Sequence, residues 1–298
     1  MNLEELLRWV LVNRWAGTPK EESQYAEAKR FVLAVGPERQ VSSLLLSDVI
    51  EYQTGLRIGG ARKASTVNRM MGPVRTMLRD GARLGQTPAG LEVPRLREEE
   101  HAPYILSGDE ERELLAALEA VDYDAADLAQ FLLYTGLRVG EALSLTWDDI
   151  GTRMVRDVVR LRAGNTKARR ARTVPLCVEA RAMLWRHDGP LERRRQRRDP
   201  LEWQAEGGPE GGPFDSLTYR RFHDAWTEAR RVLGKSNVAG YTPHALRHTC
   251  ATRLLKAGVD VHTVMVWLGH RKITTTMRYL HSSSEDLTNA ALALSGGR

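Results

Sequence analysis

The sequence of 298 residues has little cysteine and no long apolar run. Its two cysteines, Cys177 and Cys250, are too few for a disulfide framework, and their neighbours favour small buried packing positions. No apolar stretch approaches the roughly 18 residues of a membrane span, and no signal peptide is recognisable at the N-terminus. We therefore expect a protein of the cytoplasm with no membrane partner.

The sequence also lacks acidic clusters with the spacing of metal ligands and has no internal repeat, so we expect no metal site. Positive charge, in contrast, is in excess. The chain has 44 Lys and Arg against 38 Asp and Glu, a net charge of +6, and a pI of about 9.5. This balance favours a polyanionic partner.

The excess of positive charge is concentrated in one part of the chain. Between Arg160 and Arg198 there are 13 basic residues and three acidic ones. The Arg193–Arg198 run fits a contact with a polyanion and a solvated surface loop equally well.

The chain divides into two parts with different patterns. Residues 1–85 predict short helices, and Gly72-Pro73 predicts a kink or a break in the last of them. Residues 86–104 have the Pro- and charge-rich composition of a linker. Ser107, with Glu110 three residues later, predicts a capping box that opens a second domain, residues 105–298.

The second domain is predicted to be helical with one exception. The Val-rich stretch Val155–Leu161, the turn at Gly164-Asn165 and the return Lys167–Val174 predict a small antiparallel hairpin. His187–Pro213 predicts a long surface loop. The expected fold class is therefore mainly α with a small β-sheet (α+β).

Four short segments contain residues suited to phosphate chemistry, although each has an ordinary structural explanation. Arg138 follows a glycine turn, and Glu141 is placed to hold its guanidinium or to form a surface ion pair. His244 and Arg247 are three apart at the start of a helix that Thr242 is expected to cap.

Two further candidates lie nearer the C-terminus. His270 follows Gly269 at the end of a helix with an apolar stripe. A histidine at such a position can also simply interact with the negative end of the helix dipole. Tyr279 is expected on the next short helix, capped by Thr274, with Met277 and Leu280 in the core beside it. A lone tyrosine at such a position is more often a packing residue.

Taken together and in this order, these residues closely resemble those of the tyrosine recombinases of the phage integrase branch. The resemblance includes the four segments in which they lie, Tyr134–Glu141, Thr242–Thr249, Leu268–His270 and Met277–Tyr279. The resemblance is strong from about Ser107 to His281. It implies a helical core-binding domain in residues 1–85 and a catalytic domain after the linker. It also implies that the chain has no room for the additional arm-site-binding domain of many phage integrases.

The resemblance further implies a role for each residue. Tyr279 is the nucleophile that forms a 3′-phosphotyrosyl link, and Arg138 and Arg247 stabilise charge on the phosphate. Lys167, on the predicted hairpin, is the general acid. His244 assists proton transfer at the nucleophile, and His270 hydrogen-bonds the phosphate. The remaining candidates are Glu141 as support for Arg138, and Arg169, Arg170 and Arg172 as contacts to DNA.

The function that the resemblance implies is site-specific recombination of double-stranded DNA by a tetramer, without a cofactor and with possible accessory directionality or DNA-bending proteins. A C-terminal helix after Ser282 is expected to dock on a neighbouring protomer or on its own domain. The alternatives are a Xer-type dimer resolvase and a non-catalytic regulator derived from a recombinase. A basic protein that binds nucleic acid without sequence preference, and a type IB topoisomerase, fit the sequence less well.

Overall fold

The computed structural model describes residues 1–88, 91–98, 102–151, 158–165, 170–185 and 211–280. Two compact units make up the chain, Met1–His101 and Ala102–Arg298. The described part is mainly helical with one small antiparallel sheet, which confirms the predicted fold class. No helix in these ranges is long and apolar enough to cross a bilayer.

The first unit consists of helices packed around one apolar core. Leu3, Leu6, Leu7 and Val10 are fully buried, as their helical spacing predicts. The α-helices and the π-helical turn after α1 have these bounds: α1 Leu3–Val10, the turn Leu11–Trp15, α2 Glu21–Val35, α3 Leu46–Ile58 and α4 Ala64–Arg83.

Helix α4 continues through Gly72-Pro73, so the predicted break is wrong. Proline removes one helical hydrogen bond, the one from its own nitrogen to the carbonyl four residues earlier, and Pro73 is buried. One turn later the hydroxyl of Thr76 donates to the carbonyl of Gly72 at 3.1 Å. The side chains on both sides of the proline pack into the core and keep the helix together. Gly85, with φ of +68°, follows the helix end, where glycine adopts the left-handed conformation without strain.

Residues 91–98, which have the composition of a linker, are fastened to the first unit. Leu91, Val93 and Leu96 pack against its core. The amide of Gln53 donates to the carbonyl of Pro94 at 3.0 Å, and the side chain of Asn68 bonds both backbone groups of Leu96. Three packed apolar residues and two buried amide side chains therefore give this segment a defined place despite its proline.

The second unit has a helical core into which a three-stranded sheet is inserted. Its elements are α5 Gly108–Val121, α6 Tyr123–Thr135, α7 Val139–Leu143, β1 Ile150–Gly151, β2 Val158–Leu161, β3 Arg172–Pro175, α8 Val178–Trp185, α9 Tyr219–Val232, α10 His244–Lys256, α11 Val261–Leu268 and α12 Ile273–Met277. The predicted capping box of Ser107 and Glu110 begins α5 and is confirmed.

The sheet has the strand order β1-β2-β3 with antiparallel pairing. Val159 faces Val174 across β2 and β3, and both side chains are buried. The predicted hairpin is therefore confirmed, with β1 as an additional strand. Four predicted features lie outside the described residues: the start of the returning segment at Lys167, the basic run Arg193–Arg198, most of the loop His187–Pro213 and the C-terminal segment after Leu280.

Candidate active site

The site begins at the turn between α6 and α7. Gly136 ends α6 in the left-handed region, with φ of +65°, and Arg138 precedes the first residue of α7. The backbone amide of Arg138 donates to Oε2 of Glu141 at 3.0 Å, and its guanidinium donates to Oε1 at 2.7 Å. Glu141 thus fixes both the backbone and the side chain of Arg138, as the sequence suggested, and leaves 29% of that side chain exposed.

Glu141 also binds a second arginine that the sequence did not connect with it. Nη2 of Arg172, on β3, lies 2.7 Å from Oε2 of Glu141, and its Nε donates to the carbonyl of Trp267 at 3.0 Å. The Arg172 side chain is largely buried by these contacts. Its guanidinium is therefore turned into the protein, unlike the DNA contact that we expected, and it neutralises and orients Glu141. The two arginines keep the pKa of Glu141 lowered, although burial opposes them.

Arg247 is buried near Arg138, and within the described residues it has no carboxylate in a salt bridge with it. Its Nη1 donates to the carbonyl of Gly136 at 2.6 Å and its Nη2 to the carbonyl of Leu268 at 2.5 Å. These carbonyls lie at the C-terminal ends of α6 and α11, where free carbonyls carry partial negative charge. Two helix ends therefore stabilise one guanidinium. Burial, and then the charge of Arg138, lower the pKa of Arg247 to about 9, so it remains charged at neutral pH.

Three histidines surround this pair of arginines. His244 is the first residue of α10 and is exposed, and its ring meets that of His248 edge to face at 4.5 Å. His270 follows the left-handed Gly269 at the end of α11, as predicted, and its Nδ1 lies 2.8 Å from Oγ1 of Thr276.

All three histidines are held in the neutral form. Burial, followed by the charges of neighbouring arginines, lowers the pKa of His244 to about 4 and that of His270 to about 3. Burial, then His244 and the nearby arginines, lower the pKa of His248 to about 4. His244 remains open to solvent, where water screens part of the effect. At neutral pH each ring consequently has one nitrogen that can accept a hydrogen bond.

Tyr279 lies two residues beyond the end of α12 and is 5% exposed. Its hydroxyl is 2.7 Å from Nδ1 of His248, and its ring stacks over that of His270 with centroids 6.4 Å apart. Burial raises the pKa of Tyr279, while the charges of Arg247, Arg278 and Arg138 oppose that effect. The phenol is therefore protonated at neutral pH and set among positive charges.

Between Arg138 and His244 the surface opens into a cleft of about 550 Å³. Its lining residues come from the α6–α7 turn, from α9 and from the start of α10, and they are Arg138, Val139, Gly140, Glu141, Tyr219, His223, Thr242, Pro243 and His244. The cleft is thus bordered by the partly exposed Arg138, while Arg247 and Tyr279 are buried.

The structure brings five of the predicted residues together, Arg138, His244, Arg247, His270 and Tyr279. Lys167 and Arg169 lie outside the described residues, and Arg170 is exposed beside β3. His248 was not among the predicted residues, although it lies four residues after His244 and therefore on the same helical face. Within the described ranges, no group of three or more His, Cys, Asp or Glu side chains is suited to a metal ion.

Several local predictions around the site are wrong. Thr242 does not cap α10 with its side chain, because Pro243 occupies the cap position, and Lys272 takes the cap position of α12 instead of Thr274. Met277 and Leu280 are exposed, since Thr276 and Tyr279 face the interior. Cys177 is also exposed, whereas Cys250 is buried as expected.

Comparison with known proteins identifies the family to which the sequence is similar. Residues 105–286 match the sequence profile described as the phage integrase family. The chain is 31% identical over 170 residues to tyrosine recombinase XerC of Bifidobacterium longum, which covers 55% of this chain and 45% of that protein. It is 28% identical over 261 residues to tyrosine recombinase XerD of Pasteurella multocida, which covers 84% and 83%. The chain thus spans about half the length of some of its curated relatives.

Solved structures show the same fold. An integrase of the transposon Tn1549 in complex with transposon right end DNA matches with a TM-score of 0.73 and 18% identity, over 99% of this chain and 100% of that one. A lambda integrase dimer bound to a COC′ core site matches with a TM-score of 0.70 and 16% identity, over 95% and 97%. At such identities the similarity concerns the fold alone.

Proposed function

Since the chain belongs to the phage integrase family, we propose that it is a site-specific DNA recombinase that works through a covalent link between DNA and Tyr279. The observation that carries this proposal is the position of one tyrosine hydroxyl in a site with two arginines. The charges of Arg247 and Arg138 both act on Tyr279, and Arg138 borders an open cleft. A nucleophile beside two fixed cations suits attack on a phosphodiester.

In the proposed reaction, the Tyr279 oxygen attacks the phosphorus of the scissile phosphodiester. A bond forms between that oxygen and the 3′-phosphate, the bond from phosphorus to the 5′-oxygen breaks, and the phenolic proton leaves the tyrosine. We assign the proton that the 5′-oxygen takes up to Lys167, on the family resemblance. A 5′-hydroxyl from a second strand reverses the step, so no nucleotide cofactor is needed.

The arginines are suited to bind the nonbridging oxygens. Arg138 is held by Glu141 and opens onto the cleft. Arg247 is oriented by two backbone carbonyls, and within the described residues its buried Nε has no hydrogen-bond partner. A donor that is already oriented and unpaired strengthens its interaction as charge develops on the phosphate. We assign His244 and His270 to hydrogen bonds near the same phosphate.

The substrate that we propose is a double-stranded DNA recombination site, bound by a tetramer in the synapse, with accessory proteins that set direction. Residues 1–85 would bind the core site, residues 86–104 would join the domains, and residues 105–298 would carry catalysis. Arg169 and Arg170 remain candidate phosphate contacts. For Arg172 we propose a positioning role instead, because it binds Glu141 inside the protein.

Two alternatives share much of this account. A Xer-type dimer resolvase uses the same chemistry, and the match to XerD over 83% of that protein favours it. A regulator derived from a recombinase would bind DNA and never become attached to it. The sequence has an arginine, an arginine and a tyrosine at the catalytic positions that the resemblance implies, Arg138, Arg247 and Tyr279, and this favours an enzyme.

A plasmid assay tests the proposal. The site is first obtained by repeated selection of random-sequence duplex DNA on the full-length protein, and two direct copies of it are placed on a supercoiled plasmid. We expect the intervening segment to be excised in buffer with a chelator and no nucleotide, and Tyr279→Phe to abolish excision while DNA binding persists. Tight, sequence-specific binding without excision or attachment would favour the regulator.

A further inference from the structure

His248 is in contact with the atom that would carry out the reaction. Its Nδ1 lies 2.7 Å from the hydroxyl of Tyr279, within normal hydrogen-bond distance. His248 belongs to α10, directly after Arg247, and Tyr279 follows α12, so the contact joins two separate elements. Within the described residues, His248 is the hydrogen-bond partner of this hydroxyl.

The other two histidines of the site are less suited to accept the phenolic proton. Nδ1 of His270 is engaged with the hydroxyl of Thr276 at 2.8 Å. The ring of His270 is nearly parallel to that of Tyr279, with an angle of 18° between the two planes. His244 is exposed at the cleft and contacts the ring of His248. The family resemblance assigns proton transfer to His244, whereas the geometry favours its neighbour one helical turn later.

The groups around His248 keep its ring able to accept a proton. His244 and Arg247 face it from its own helix, and Arg278 and Tyr279 face it from the segment after α12. Burial and these charges lower the pKa of His248 to about 4, while burial raises the pKa of Tyr279. At neutral pH the pair therefore consists of a neutral imidazole and a protonated phenol.

We propose that His248, with its proton on Nε2, accepts the phenolic proton of Tyr279 at Nδ1 as the tyrosine oxygen attacks the phosphate. The O–H bond of Tyr279 breaks, an N–H bond forms on His248, and the electron pair of the oxygen forms the new bond to phosphorus. In rejoining, the imidazolium returns the proton to the departing Tyr279. This inference rests on the proposed recombinase function and assigns one residue within it.

The test compares His248→Asn with His248→Ala in the full chain, with His262→Asn as the matched control. The Asn side chain can keep a hydrogen bond near the position of Nδ1 but cannot take up the proton, and His262 is an exposed histidine on α11. Thermal melting and DNA binding confirm that each variant is folded. The rate of covalent attachment is measured on the selected duplex, nicked beside the cleavage position, at saturating protein.

A second substrate separates this step from protonation of the leaving group. Sulfur replaces the leaving 5′-oxygen, and because a thiolate departs without a proton, a defect in the general acid is relieved. A defect in the group that accepts the phenolic proton of Tyr279 should remain on this sulfur-containing substrate. We expect His248→Asn to be slower than the unchanged protein by about 10²-fold or more on both substrates, the usual range for such a group. His262→Asn should be unaffected.

The dependence on pH distinguishes proton acceptance from positioning. Between pH 6 and 8.5 the unchanged protein should attach at a constant rate, because its acceptor stays neutral. The His248→Asn rate should rise about tenfold per pH unit, because Tyr279 must then ionise unaided. Equal rates for His248→Asn and the unchanged protein, or a uniform decrease without a change in pH slope, would overturn the proposal. Absence of attachment by the unchanged protein would instead contradict the recombinase function.

Discussion

Arg172 and Glu141 form an ion pair with 2.7 Å between Nη2 and Oε2, at a place where both side chains are nearly closed to solvent. The same carboxylate binds Arg138, which opens onto the cleft. A residue of the sheet therefore acts on the proposed phosphate-binding arginine through one shared carboxylate. This arrangement explains why Arg138 has a fixed orientation although its side chain is more exposed than those of Glu141 and Arg172.

Removing the charge of Glu141 should weaken the second unit and release Arg138. In Glu141→Gln, Arg172 loses the charge that offsets its burial, and we expect a loss of about 3–5 kcal/mol, as for other broken buried pairs. Hydrogen exchange of the α10 peptide, resolved by mass spectrometry, measures the change within this unit. Glu119→Gln, at an exposed position of α5, is the matched control and should change little. A loss below about 1 kcal/mol would contradict the proposed role of the carboxylate.

Gly136 should tolerate no side chain, because its Cβ would lie 2.9 Å from Cδ2 of Leu268 and 3.1 Å from Sγ of Cys250. Gly234 has nearly the same backbone angle, +66° against +65°, but open space around it. Both alanine variants incur the left-handed backbone cost of about 1–2 kcal/mol. Only Gly136→Ala adds overpacking, about 1–3 kcal/mol, and it should also displace the carbonyl that binds Arg247.

Melting temperatures and attachment rates of the two glycine variants give the comparison. We expect Gly136→Ala to melt lower than Gly234→Ala and to lose most of its attachment rate, while Gly234→Ala attaches normally. Equal melting temperatures would show that the Leu268 and Cys250 side chains move aside freely.

The neutral histidines predict that acid destabilises the second unit before its carboxylates titrate. The pKa of His270 is lowered to about 3 from an ordinary value of 6.5, so the unfolded chain takes up its proton first. Stability should therefore fall as pH decreases below about 6.5, by about 1.4 kcal/mol per pH unit for the buried ring of His270. In His270→Asn the slope between pH 6 and 5 should decrease by that amount, measured by hydrogen exchange corrected for its intrinsic pH dependence. An unchanged slope would contradict the burial of a neutral ring.

Tyr279 should resist chemical modification in the free protein. Its 5% exposure contrasts with 59% for Tyr123 and 61% for Tyr219. Brief iodination followed by peptide mass spectrometry should therefore label Tyr123 and Tyr219 and spare Tyr279. Labelling of all three at similar rates would show that the hydroxyl is accessible before DNA binds. The two exposed tyrosines serve as internal controls.

The sequence predicted the residues of the site better than the contacts between them. Arg138, Arg247 and Tyr279 were predicted as site residues because their short segments resemble a family and because Gly136 and Gly269 mark the ends of helices. The sequence did not predict that Arg247 is held by carbonyls of two helix ends, since backbone partners leave no signature in the side-chain pattern. His248 was passed over because only the fold brings it to Tyr279, 31 positions away.

The fold shows the same limits. The first helix was predicted correctly because Leu3, Leu6, Leu7 and Val10 repeat cleanly at helical spacing. In α2, Leu33 has the right spacing but is 60% exposed, because Ala28, Phe31 and Val32 face the core instead. Pro73 lies inside a continuous helix because packing on both sides offsets the lost hydrogen bond. Predictions from helical spacing and from proline fail at such positions because tertiary packing outweighs the local preference of the sequence.

The covalent attachment of Tyr279 to DNA is the most direct measurement of the central claim. The full-length protein is incubated with the selected duplex, labelled and nicked beside the cleavage position, and is then denatured and separated by size. We expect a slowly migrating protein–DNA band whose only modified peptide contains Tyr279 linked to a 3′-phosphate, and we expect no band with Tyr279→Phe. A band that persists in Tyr279→Phe, or a duplex that is bound specifically and never attached, would contradict the account.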